Sequence, residues 1–290
     1  MRLDDSRRSD NVEDDRGSGG TFGGYGLHLG LGGTLLVLAV GYFLGISPQT
    51  LLGVLNGAPD ANPPAAASAP AVNPADDRQV DFVRAVLGET EDVWTAYFRQ
   101  RGQTYTPPKL VLFSGSISSA CGMASAAAGP FYCPGDQRVY LDLNFFRQLA
   151  TQFGAPGDFA RAYVIAHEVG HHVQDLQGIS GAAEHAEQRS DRSGANHVSV
   201  EVELQADCYA GVWAAQANRL HRILEPGDLE QGLQAASSVG DDTLQKRMQG
   251  TVVPDSFTHG TSAQRVRWFR RGFESGDTGN CDTFKAGSSL

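Results

Sequence analysis

Asp158-Phe159-Ala160-Arg161-Ala162-Tyr163-Val164-Ile165-Ala166-His167-Glu168-Val169-Gly170-His171-His172-Val173 is the stretch on which the reading of this chain turns. Asp158 is a natural helix start and Gly178 a natural stop, and Ala162, Ile165, Ala166, Val169 and Val173 supply an apolar body at helical spacing. On a helix His167 and His171 lie one turn apart on one face, so both imidazoles can reach one Zn²⁺ at about 2.0 to 2.1 Å. Glu168 is displaced by about 100° around the axis, beside the metal, where a carboxylate can take a proton from an attacking water. His172 falls off that face and is expected at the surface or in a supporting role.

A catalytic zinc needs a third protein ligand and an open position. The next long helical pattern, residues 198–224, carries Glu201-Val202-Glu203-Leu204-Gln205-Ala206-Asp207, in which Glu203 and Asp207 share a face at i and i+4. Spacing alone leaves Glu201 and Glu203 both open as the ligand.

Working outward, residues 78–290 read as one folded domain. A helical pattern from about Asp76 carries Val80, Val83, Val86, Leu87, Val93, Trp94, Tyr97 and Phe98. Residues 109–113 and 138–143 read as short strands, and further helices are expected at 228–249 and 262–275, with Thr261 or Ser262 as cap. Few early strands and many later helices make an α+β fold, mostly helical with a small sheet. The strand containing Val139 to Leu143 is expected at a sheet edge, where an extended peptide can pair. Arg265, Arg267, Arg270 and Arg271 around Trp268 and Phe269 read as the solvated face of an amphipathic helix, the other reading being a membrane-surface or acidic-partner patch.

Of the four cysteines, none forms a C-x-x-C pair. Pairing Cys121 with Cys133 would close a short Gly- and Ala-rich loop, and the preferred connectivity therefore also joins Cys208 to Cys281. The formal net charge of −10 argues against a nucleic-acid binder, since phosphate binding rests on clustered Lys and Arg.

Toward the N-terminus, residues 1–26 are charged and then Gly-rich and read as a disordered tail. Residues 27–46 hold no Asp, Glu, Lys or Arg and are long enough for one transmembrane helix, and residues 47–77 are a Pro- and Ala-rich linker. Arg2, Arg7, Arg8 and Arg16 precede the apolar stretch and no Lys or Arg follows until Arg78. The expected topology is thus single-pass, with a cytoplasmic tail and an extracytoplasmic domain, consistent with disulfides in an oxidising compartment.

Glu203-Leu204-Gln205-Ala206-Asp207 downstream of H-E-x-x-H resembles the gluzincin-type metallopeptidases. That resemblance implies Glu203 as the third zinc ligand and Asp207 as the residue that orients a ligand histidine, with Glu201 as the fallback ligand. Arg7-Arg8-Ser9-Asp10-Asn11-Val12-Glu13-Asp14, the Gly-rich run, the apolar stretch, Gly129-Pro130-Phe131-Tyr132-Cys133-Pro134, Val139-Tyr140-Leu141-Asp142, the histidine motif and Leu204-Gln205-Ala206-Asp207-Cys208 together resemble the bacterial putative neutral zinc metallopeptidase (YpfJ-like) family. The resemblance implies a zincin-like domain, Zn²⁺ as cofactor, a peptide or protein substrate and a place in the bacterial cell membrane. Thr258-His259-Gly260-Thr261 with Arg265 is similar to a His-Pro segment followed by Arg in membrane-linked gluzincins, with Gly260 where Pro is usual. On that likeness His259 or Arg265 would stabilise the oxyanion; capping a helix and pairing with a carboxylate is the competing role for both. The rival functions are a catalytically silent zinc-binding or partner-binding domain and a metal-dependent hydrolase of a non-peptide amide. An intact Glu168 argues against the silent domain, because a purely structural zinc site has no need of a base.

Overall fold

The computed structural model describes residues 1–17, 74–125 and 129–286. The apolar periodicity from Val80 onward becomes helix α1 (Pro74–Gln100), which turns Val83, Val86, Leu87, Trp94 and Phe98 into the core. It starts at Pro74, inside the stretch expected as linker. Strand β2 (Lys109–Phe113) follows, then a hairpin of β3 (Ser116–Ser119) and β4 (Gly122–Ser125), a short β5 (Phe131–Cys133), and β6 (Arg138–Asp142). With β1 (Val12–Asp14), strands β2, β5 and β6 make a four-stranded sheet of order β1-β2-β6-β5, and β3 with β4 stands as a separate two-stranded sheet. β1, β2 and β6 run parallel, and β5 is antiparallel to β6.

Side chains alternate across this sheet as a period of two requires. Leu110, Leu112, Val139 and Leu141 face the main core, while Val111, Phe113, Tyr140 and Cys133 form a second cluster on the other face. β6 lies between β2 and β5. The expectation of an edge at residues 139–143 is therefore corrected: β5, too short to show alternation, occupies that edge.

Helices α2 (Asn144–Thr151), α3 (Asp158–Leu176), α4 (Ile179–Glu187), α5 (Arg192–His221), α6 (Asp228–Ser238), α7 (Asp241–Gln249) and α8 (Ser262–Ser275) complete the α+β architecture. The pattern at 228–249 is two helices, parted where the backbone turns extended at Gly240, a position whose Cβ would lie 2.3 Å from the Ser262 amide nitrogen. α8 is capped by Thr261, whose side chain forms a capping box with Gln264. α8 and α5 cross backbone to backbone. A Cβ on Gly272 would sit 2.0 Å from the Cys208 carbonyl oxygen, and one on Gly211 would sit 2.1 Å from that of Phe269.

Both expected disulfides are present, Cys121–Cys133 and Cys208–Cys281. The first ties the β3–β4 turn to β5; the second clips the C-terminal segment to α5. Loops of these lengths contribute on the order of 3 and 4 kcal/mol respectively by restricting the unfolded chain.

Two expectations at the N-terminus are corrected. Residues 1–17 are not a disordered tail but belong to the same compact unit as residues 72–290. β1 pairs with β2 in parallel, Val12 opposite Leu110, and the segment is held by polar contacts. Glu91, buried on α1, receives Ser9 Oγ at 2.6 Å, Asn11 Nδ2 at 2.7 Å and Arg7 Nη2 at 2.6 Å. The expected span, residues 27–46, lies outside the described residues, as do residues 18–26 and nearly all of the expected linker. Among the described residues no helix is long and apolar enough to cross a membrane. The single-pass topology fails on its own geometry as well, because one crossing between residues 17 and 74 would put β1 and its partner β2 on opposite sides.

Candidate metal centre

The apolar face of α3 packs Phe159, Ala162, Ala166 and Val173 into the core, which fixes the direction of the neighbouring row of Tyr163, His167 and His171. α5 lies against α3 at Gly170, where an added Cβ would come within 3.1 Å of the Ala206 carbonyl oxygen. Gly170 thus lets the two helices approach at the middle of the histidine motif. The approach brings His167, His171 and Glu203 together, one ligand atom from each lying within 4.8 Å of the others.

His167 Nε2 is 3.2 Å from Glu203 Oε2, and His171 Nε2 is 3.4 Å from Glu203 Oε1. Ligand atoms about 2.0 to 2.2 Å from a tetrahedral zinc stand about 3.3 Å apart, the separation that Glu203 keeps from each imidazole. The electrostatics also call for a cation. Burial alone would depress the His167 imidazole, but Asp207 and Glu203 on its two nitrogens outweigh burial and push it up to about 10. Burial likewise works against the Glu203 carboxylate, yet His171 and His167 hold it well below the ordinary range.

Glu168 is buried, and burial raises its carboxyl above the ordinary carboxylate range although His167 and His171 pull the other way. Among the described residues no hydrogen-bond donor meets this carboxylate.

Asp207, fully buried, accepts from His167 Nδ1 at 3.0 Å, from Arg265 Nε at 2.8 Å and Nη2 at 3.0 Å, and from the Tyr163 hydroxyl. A carboxylate at Nδ1 keeps a proton there, so that when the imidazole is neutral Nε2 is the atom free to bind a cation. Glu201 turns to His197, 3.7 Å away, and is not part of the cluster. His172 is buried, its Nε2 donating to the Thr106 carbonyl at 2.7 Å and its Nδ1 lying 3.1 Å from the Tyr132 hydroxyl of β5.

His259 and Arg265 part company. His259 is half-exposed, with Nδ1 3.4 Å from Asp241 Oδ1, and that carboxylate raises it against the effect of burial. Asp241 Oδ2 in turn accepts the backbone amides of Thr258, His259 and Gly260. Arg265 is buried beneath His167 and committed to Asp207, so the solvated arginine face expected of this helix begins only after it.

Tyr163, Gln174, Gln205 and Asp241 are site residues that the motif reading missed. Tyr163 carried a signal, since residues 163, 167 and 171 repeat every four on one helix face. The other three act from positions that no short motif joins.

The chain matches the family described as putative neutral zinc metallopeptidase over residues 1–284. It is 47% identical over 291 residues to the uncharacterized protein YpfJ of Escherichia coli (strain K12), covering 98% of this chain and 99% of that one. It is 44% identical over 215 residues to the uncharacterized protein Rv2575 of Mycobacterium tuberculosis (strain ATCC 25618 / H37Rv), covering 71% and 72%. No solved structure matches. By the whole-length match and these identities, the chain belongs to the putative neutral zinc metallopeptidase family.

Proposed function

We propose that this chain is a zinc-dependent endopeptidase of the gluzincin type, with His167, His171 and Glu203 as metal ligands and Glu168 as the general base. The observation that carries the reading is the partnerless buried carboxylate of Glu168 beside three converging donors. A purely structural zinc site closes its fourth position and has no use for such a group. Zinc, when bound, supplies the Lewis acidity that eases deprotonation of water and polarises a peptide carbonyl.

Glu168 takes the proton of the attacking water and passes it to the leaving amine, a role helped by a carboxyl raised through burial. Asp207 holds the His167 tautomer, and Arg265 with Tyr163 holds Asp207. His259, whose imidazole the Asp241 carboxylate raises, offers a donor to the oxyanion of the tetrahedral intermediate. β5 carries an outer edge of the sheet and touches α3 through Tyr132, a place for an extended peptide to pair.

The test is cleavage of a proteome-derived peptide mixture by the zinc-loaded chain and by its Glu168→Gln form. The expected result is defined cleavage by the first and a loss of at least about a hundredfold in the second. Equal cleavage by both, or none by either with zinc bound, contradicts the reading.

A further inference from the structure

We infer that Gln174 is the positioning residue for the second histidine, and that a chain of amides running from His171 to the disulfide-held C-terminal segment fixes which nitrogen of that histidine faces the metal. This rests on the zinc reading above for its purpose, but its geometry stands by itself.

His171 Nδ1 lies 2.8 Å from Gln174 Oε1. Gln174 Nε2 donates to the Val202 carbonyl at 2.8 Å and to Gln205 Oε1 at 2.9 Å. Gln205 Nε2 donates to the Cys281 carbonyl at 3.0 Å. Gln174 and Gln205 are both buried.

An amide can be turned end for end, so the direction of such a chain must be anchored by groups that cannot be. Two backbone carbonyls, which only accept, provide the anchors. The Cys281 carbonyl requires the amino end of Gln205, which turns Gln205 Oε1 toward Gln174. The Val202 carbonyl and that Oε1 then both require the amino end of Gln174, so Gln174 Oε1 must face His171. An acceptor at Nδ1 demands a proton there and leaves the Nε2 lone pair directed at the cluster.

Each histidine is therefore oriented from behind, His167 by the carboxylate of Asp207 and His171 by a neutral amide. A second acid at Gln174 would add buried negative charge and face the Val202 carbonyl with no proton to offer it. The far end of the relay is secured twice: Cys281 is bonded to Cys208 of α5, and Thr283 Oγ1 donates to the Glu201 carbonyl at 2.7 Å. Cys208 also neighbours Asp207, so α5 supports both histidines.

The experiment uses the full chain freed of metal, in wild-type, Gln174→Met, Gln205→Met and Gln177→Met forms. Gln177 lies one turn further along and bonds Tyr97 and Tyr209 instead, which makes it the control. Zinc alone is titrated against a chromophoric chelator, and nitrogen-15 histidine spectra at alkaline pH report the tautomer of each ring. Gln174→Met is expected to weaken zinc binding by about 10- to 100-fold and to mix the His171 tautomers while His167 keeps its Nδ1 proton. Gln205→Met should move both readouts the same way by less, and Gln177→Met neither; if Gln174→Met does not fold, Gln205→Met decides alone. Zinc affinity within about twofold of wild type, or weakened binding with the His171 tautomer unaltered, would overturn the inference. A wild-type chain that takes no zinc overturns the metal reading instead, and the tautomer spectra then still decide the role of Gln174.

Discussion

Arg265 and Asp207 meet as a buried two-pronged pair, Nε to Oδ2 at 2.8 Å and Nη2 to Oδ1 at 3.0 Å. The pair joins α8 to α5 directly beneath His167. It also explains why Asp207 stays ionised: burial works against the charge, and Arg265 with His167 overcomes it and holds the carboxyl below its ordinary range. Removing the guanidinium leaves a buried carboxylate with no full countercharge and only Tyr163 and His167 as donors.

Arg265→Met is accordingly expected to destabilise the zinc-free chain by about 3 to 5 kcal/mol in urea denaturation. Arg265→Lys should recover only part of this, since an ammonium cannot make the two-pronged contact. A loss below about 1 kcal/mol, the scale of an exposed pair, would show that the pair is peripheral.

The ion pair of His259 and Asp241 sets a pH dependence of stability. Asp241 is lowered, because the contacts from His259 and the loop amides outweigh burial, so its contribution is present above about pH 4 and is lost on acidification below that. His259 is raised, so its contribution is full below about pH 6.5 and is lost as pH climbs through the raised value. The advantage of the zinc-free wild type over His259→Gln should therefore peak between about pH 4 and 6.5 and fade on both sides. Denaturation midpoints across that range check it, and a difference independent of pH would contradict it.

β1 is expected to depend on Glu91. The Leu110 amide donates to the Asn11 carbonyl and the Asp15 amide to that of Leu112, both at 2.8 Å, so these two protons report the pairing. Glu91→Leu leaves Ser9 and Asn11 without their acceptor, a cost of about 1 to 3 kcal/mol. Hydrogen exchange at Leu110 and Asp15 should accelerate while the α3 amides keep their protection. Unchanged exchange at both would mean that backbone pairing alone holds the segment.

How much of this was legible in the sequence follows from what each element is made of. α3, β2 and β6 announce themselves through apolar spacing, and the Cys121–Cys133 bridge through its short loop. β1 could not be read that way: of Val12, Glu13 and Asp14 only Val12 is buried, and the strand is docked by Arg7, Ser9 and Asn11 on an acid some eighty residues away. That misreading carried the topology with it, because a tail taken as free could be assigned to the other side of a membrane. Glu203 was separable from Glu201 only by family resemblance. Packing supplies the physical reason, since the contact of Gly170 with Ala206 sets the rotation of α5 that turns Glu203 toward the histidines. Gln174 and Gln205 stayed invisible because their roles depend on two carbonyls contributed by other parts of the chain.

The central claim is that two imidazoles of α3 and one carboxylate of α5 hold a single zinc ion. Zinc-edge X-ray absorption on the loaded chain, beside Glu203→Ala, tests it most directly. Two imidazole nitrogens and oxygen donors at about 2.0 to 2.2 Å with no sulfur are predicted for the wild type, with an oxygen contribution lost or zinc released in Glu203→Ala. Sulfur at about 2.3 Å, or a Glu203→Ala spectrum identical to that of the wild type at equal zinc content, would contradict it.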